Sequence, residues 1–114
     1  MNTWLKFNNN VELNGMKVKR TEVSSSSYNV LLTDYIIAIT YTTIGIVSII
    51  LPSITSVPLQ IFKIVDEGGN ASVNNITITC WNGNTILGNS SFIINGNYNS
   101  INIYNNGVNW WFIS

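Results

Sequence analysis

The groups in this chain best suited to acid–base or metal chemistry are five carboxylates: Glu12, Glu22, Asp34, Asp66 and Glu67. Paired-carboxylate catalysis needs two acids facing each other across a cleft. Asp66 and Glu67 are adjacent, so in an extended chain they point to opposite sides. A pairing of acids far apart in the chain stays open, but nothing in the sequence points to one. Histidine is absent, which removes the commonest general base and the commonest metal ligand. There is no P-loop, nucleophile elbow or metal-binding signature. Asp66, Glu67 and Asn70 could offer oxygens to calcium, but their spacing is not that of an EF-hand loop and the carboxylates are too few for a tight site. The preferred reading is a hydrogen-bonded turn, with Gly69 in the left-handed region and an Asp66 that asparagine could replace. Asp34, after Thr33, also reads as a turn residue. The expectation is a protein with no enzymatic activity, no cofactor and no metal.

Aromatic side chains are the sharper candidates. Trp81, Tyr98, Tyr104 and Trp111 stand among asparagines. A flat ring offers an apolar face to a sugar, and an amide offers both donors and acceptors to its hydroxyls. These four are candidate contacts for a glycan or a partner protein. The competing reading is core or subunit-interface packing, which is preferred for Trp110 and also for Trp81.

The elements that must position these residues are strands. Apolar residues make up 46% of the 114 and charged residues only 9%, with no net charge. The length supports one core. Clustered Lys and Arg, which nucleic-acid binding needs, are confined to Lys17-Lys19-Arg20, and that cluster reads as a solvated strand face. Cys80 is the only cysteine; no intrachain disulfide can form, and the residue reads as a small buried hydrophobe. Three Asn-x-Ser/Thr sequons begin at Asn70, Asn75 and Asn89 and are expected to stay unmodified, because the N-terminus lacks the pattern of a signal peptide.

β-Branched runs and Asn/Gly turns alternate along the chain. Trp4–Phe7 reads as a short strand. Asn14-Gly15 between Val11–Leu13 and Met16–Lys19 predicts a hairpin. Ser24–Ser27 reads as a connector. The uncharged run from Tyr35 to Phe62 is broken by threonines, Gly45 and two prolines, so it predicts two buried strands, Tyr35–Tyr41 and Ile46–Leu51, with a turn at Thr42–Gly45, in preference to a membrane span. Further strands are predicted at Leu59–Val65, Ile76–Cys80, Thr85–Leu87, Ser91–Ile94, Ser100–Tyr104 and Trp110–Ile113. The stretch from Ile64 to Ile78 reads as strand, long polar turn and strand, a hairpin-like connection.

Ile76, Ile78, Ile101 and Ile103 alternate with polar residues, as in strands covered on one face. The run Ile46–Leu51 is different. Val47, Ile49 and Leu51 face one way, while Ile46 and Ile50 face the other with Ser48. Trp110–Ile113 is also apolar on both faces. Ile46, Val47, Ile49, Ile50, Leu51 and Trp110 are therefore assigned to the core or to a subunit interface. Strands apolar on both faces need a second cover, and another subunit is the simplest.

Four segments, in order, resemble the C-terminal β-domains of viral fibre proteins, including phage tail-fibre-like proteins and virion proteins of large DNA viruses. They are Val18–Thr21 with Ser24–Val30; Thr33–Ala38; Ile49–Pro52 followed by Asp66-Glu67, Gly69–Ala71 and Asn74–Ile78; and Asn106–Trp110. Together they cover most of the chain after about residue 16. The resemblance implies a β-sandwich head, usually homotrimeric, with a structural or host-binding role and no catalysis. Its partners would be its own copies, other virion proteins and a host surface glycan or receptor. It would be made in the host cytoplasm and reside in the virion. The combined expectation is an all-β, antiparallel, jelly-roll-like sandwich over residues 28–114. It is preceded by an N-terminal hairpin and serine-rich connector over residues 1–27. The expected role is that of a virion structural protein, with a glycan- or receptor-binding module as the alternative.

Overall fold

The computed structural model describes residues 14–54 and 59–113. Among them nine strands form two packed sheets. The five-stranded sheet runs β1 (Arg20–Val23), β3 (Ile36–Ile39), β5 (Ile61–Asp66), β8 (Ser100–Asn105) and β9 (Trp110–Ile113). The four-stranded sheet runs β2 (Ser27–Asn29), β4 (Val47–Leu51), β6 (Ile76–Cys80) and β7 (Ser91–Ile94). Trp81–Gly83 forms a single 3₁₀ turn. The described residues contain no helix long and apolar enough to cross a membrane.

The sheets are mixed, which corrects the antiparallel, jelly-roll-like expectation. From β1 to β6 the chain changes sheet at every connection. Each strand therefore re-enters its own sheet in its earlier direction. β1, β3 and β5 are parallel, and so are β2, β4 and β6. Three coils stack in this way. After β6 the direction reverses: β7 pairs antiparallel with β6, β8 with β5, and β9 with β8. The turn at Thr42–Gly45 and the long turn after Asp66 join strands of different sheets, so neither is a hairpin.

Strand alternation supplies the core. Val47, Ile49 and Leu51 of β4 are buried while Ser48 and Ile50 are half-buried on the other side. Phe62 and Ile64 of β5, Ile76 and Ile78 of β6, Ile103 of β8 and Trp110 of β9 complete it. Burying each such side chain stabilises the fold by about 1.5–3 kcal/mol. Phe92 and Phe112 meet edge-to-face at 4.6 Å and join the two sheets. Ile46 lies just outside β4 and is 62% exposed in the single chain, so it is not part of this core, and of its two expected places only a subunit interface is left.

The strands expected at Ile76–Cys80, Ser91–Ile94 and Trp110–Ile113 form with those bounds. Thr85–Leu87 reduces to one bridging residue, Ile86, which pairs with Asn89 and Trp110. Trp4–Phe7 and Val11–Leu13 lie outside the described residues, and Met16–Lys19 is not a strand. β1 precedes the serine-rich stretch and is an integral edge of the five-stranded sheet, and Ser27 opens β2.

Gly69 is in the left-handed region at φ 71°, and the Tyr98 ring lies where its β-carbon would be. Gly69→Ala should cost about 1 kcal/mol from the backbone alone, and it must also displace Tyr98. Thermal unfolding would read the loss; an unchanged midpoint would contradict this placement.

Candidate functional site

Two buried carboxylates organise the described residues, and neither faces another acid. Asp66 ends β5, where the chain leaves for the other sheet. Its Oδ2 accepts the backbone N–H of Ala71 at 3.0 Å and of Tyr98 at 3.0 Å, and its Oδ1 accepts that of Asn70 at 3.3 Å. Ser72 N–H donates to Asn97 Oδ1 at 2.9 Å. The β5–β6 and β7–β8 crossings are thus stapled side by side. This is the hydrogen-bonded turn read from the sequence; an amide in place of the carboxylate would keep one acceptor oxygen and turn its NH₂ toward an N–H donor. Glu67, the next residue, is exposed and takes a two-point contact from Arg20 at 2.9 and 2.6 Å. Arg20 holds that carboxyl below its ordinary range. This contact also commits part of the only basic cluster.

Asp34 ties the first coil together. It accepts the Thr21 hydroxyl and the Tyr28 hydroxyl, both at 2.6 Å, and Leu31 N–H at 2.8 Å; Lys19 Nζ stands 3.6 Å away. Burial pushes the carboxyl's pKa up, but the hydroxyls, the N–H and Lys19 outweigh it, and the net shift is downward. Tyr28 is pushed up to about 12 by burial, reinforced by Asp34. The signs follow from linkage. Asp34, lowered on folding, contributes stability above its unfolded value of 3.8 and loses it as pH falls through the folded value. Tyr28, raised on folding, contributes below its unfolded value of 10.0 and loses it as pH rises to about 12. Denaturant midpoints should fall at both ends, and Asp34→Asn should flatten the acid limb. An acid limb unchanged by Asp34→Asn would contradict the assignment.

Buried asparagines were not singled out in the sequence. Asn74 accepts Gly45 N–H at 3.0 Å and donates to Thr43 O at 2.8 Å, clamping the turn of the preceding coil. Asn105 accepts Leu59 N–H at 2.8 Å and Gly107 N–H at 3.2 Å. Loops that cross between sheets leave backbone groups that a ladder cannot pair, and carboxamides satisfy them. The Asn-rich composition was the available signal. Among the described residues no group of three or more His, Cys, Asp or Glu is placed to hold a metal ion. Cys80 is half-buried against the core, and burial pushes its thiol up to about 11.

The aromatic candidates do not form one platform. Trp110 is fully buried on β9, 5.9 Å from Phe62. Tyr104 and Trp111 are cross-strand neighbours on the outward face of the five-stranded sheet. Tyr98 is 71% exposed, but its ring lies over Gly69 and its N–H is held by Asp66. Trp81 is 61% exposed on the 3₁₀ turn after β6, so it is not a core residue. It borders a cleft of about 300 Å³ with Asn29, Ile50, Leu51, Pro52 and Ser53. No protein-family model matches this chain, and no curated protein matches it significantly in sequence.

Proposed function

We propose that this protein is a structural component of a virus particle, a short fibre head or surface decoration that acts as a homotrimer and performs no reaction. The observation that carries the reading is the outward face of the five-stranded sheet. Ile61, Tyr104 and Trp111 stand side by side in register, and Ile113 sits opposite Asn102 one step along. Ile61, Trp111 and Ile113 are exposed in the single chain. A shallow cleft of about 510 Å³ bordered by Leu59, Ile61, Tyr104 and Phe112 extends this surface. Such an apolar ribbon on a weakly charged protein favours association, because little like-charge repulsion opposes it. Threefold symmetry, the neighbouring virion proteins and residence in the virion come from the resemblance to fibre heads. Light scattering at micromolar concentration should give three times the 12.7 kDa chain mass, and Trp111→Lys should lower that mass while the chain stays folded. A clean monomer would overturn the reading.

A receptor- or glycan-binding module on the same particle is the second reading. The exposure of Trp81 at the mouth of a cleft favours it.

A further inference from the structure

The cleft beside Trp81 is made by chain segments far apart in sequence. β2, β4 and β6 are parallel neighbours, and they end at one rim, at Asn29, Leu51 and Cys80. Asn29 pairs with Ile50, and Leu51 with Cys80. The residues that follow the last two strands, Pro52-Ser53 and Trp81, therefore come together beside Asn29. The three parallel coils create this juxtaposition; an antiparallel arrangement would send neighbouring strand ends to opposite rims.

The chemistry of the rim is specific in one respect. None of its lining residues is charged. Neither is any residue of β2, β4, β6 or β7, so the whole four-stranded sheet is neutral, and no charged residue occurs anywhere after Glu67. The charges borne by strands all lie in the five-stranded sheet, at Arg20, Glu22, Lys63 and Asp66. An acidic sugar, a sulfated glycan or a phosphate would find no counter-charge at this rim. What the rim offers is a flat indole with its surface open to water and an amide. Asn29 is exposed, and its carboxamide makes no hydrogen bond within the described residues.

We propose that the rim formed by Asn29, Pro52, Ser53 and Trp81 binds a neutral carbohydrate. A pyranose ring would lay its C–H face on Trp81, and its hydroxyls would reach the Asn29 carboxamide. An amide carries both donors and an acceptor, which suits a hydroxyl that does the same. An open indole supplies apolar contact without a closed pocket. This proposal rests on the second reading above and narrows it to one site and one ligand class.

The test uses the full chain in solution and follows the tryptophan indole N–H resonances by NMR, with that of Trp81 assigned from Trp81→Phe. The neutral probes are lactose, maltotriose, mannotriose and chitotriose; the acidic probes are sialyllactose and a heparin disaccharide. At least one neutral probe should shift the Trp81 resonance saturably in the millimolar range. Trp81→Ala should weaken binding roughly tenfold or more, and Asn29→Ala by about threefold or more, with the remaining resonances in place. Failure of every neutral probe on folded protein would overturn the proposal. If sialyllactose or the heparin disaccharide shifted the Trp81 resonance instead, the neutral class would be wrong and the glycan-module reading would stand. If no probe acted and the resonance moved with protein concentration, a second copy would be covering this rim, and the site assignment would be overturned.

Discussion

Trp110→Ala should lower the unfolding free energy by about 3–5 kcal/mol, the range for deleting a large buried aromatic side chain. Trp110 is fully buried, packs 5.9 Å from Phe62 and sits where the Ile86 bridge closes over β9. Its backbone N–H donates to Thr85 O at 2.9 Å, and Leu87 N–H donates to its carbonyl at 3.0 Å. The strand end and the 81–90 connection therefore depend on this residue staying in place. Its indole Nε1, by contrast, has no hydrogen-bond partner among the described residues. A buried donor without a partner costs about 1–3 kcal/mol. Trp110→Phe removes that donor along with some packing, so it should cost less than half of what alanine costs. Urea unfolding of the two variants measures both numbers. Equal losses would mean that Nε1 is bonded after all, and that the indole is held by more than its shape.

Asp66→Ala should be the second large loss, roughly 3 kcal/mol or more, since three backbone N–H groups lose a charged acceptor in a buried place. Asp66→Asn should cost about 1.5–3 kcal/mol, because one oxygen remains while the new NH₂ opposes a donor. The damage should be local as well as global. With the staple gone, the 67–75 and 95–99 crossings lose their shared anchor, so proteolytic nicking in those loops should increase before the strands melt. Equilibrium unfolding and limited proteolysis would check the two effects. A variant as stable as the parent would show that the neighbouring bonds from Ser72 to Asn97 and from Asp66 N–H to Asn99 O close this end alone.

Much of the local structure is legible in the sequence because strand faces are a local property. The alternation of Val47, Ile49 and Leu51 with Ser48 and Ile50 needs only the two-residue period of an extended chain. The ends of Ile76–Cys80 and Ser91–Ile94 are marked by Asn and Gly turns. The positive φ at Gly69 follows from a turn that only a residue without a β-carbon enters easily. These features determined an all-β chain with a two-sheet core.

Pairing was decided by the tertiary structure, because a strand's neighbour is chosen by packing between segments far apart in sequence. Nothing in Thr42–Gly45 distinguishes a hairpin from a crossing, and the difference converts antiparallel pairs into three parallel coils. Burial of polar groups is equally non-local. Asn74 reads as one more turn asparagine until the Thr43–Gly45 backbone of the previous coil arrives beside it. Asp34 becomes a latch only when Thr21, Tyr28 and Leu31 converge on it. The fates of the tryptophans divide for the same reason. Trp110 and Trp111 are adjacent and chemically alike, yet strand alternation turns the first into the core beside Phe62 and leaves the second outside. Trp81 becomes the wall of a cleft because three parallel strands end at the same rim, and only the stacking of coils places Asn29, Pro52-Ser53 and Trp81 side by side.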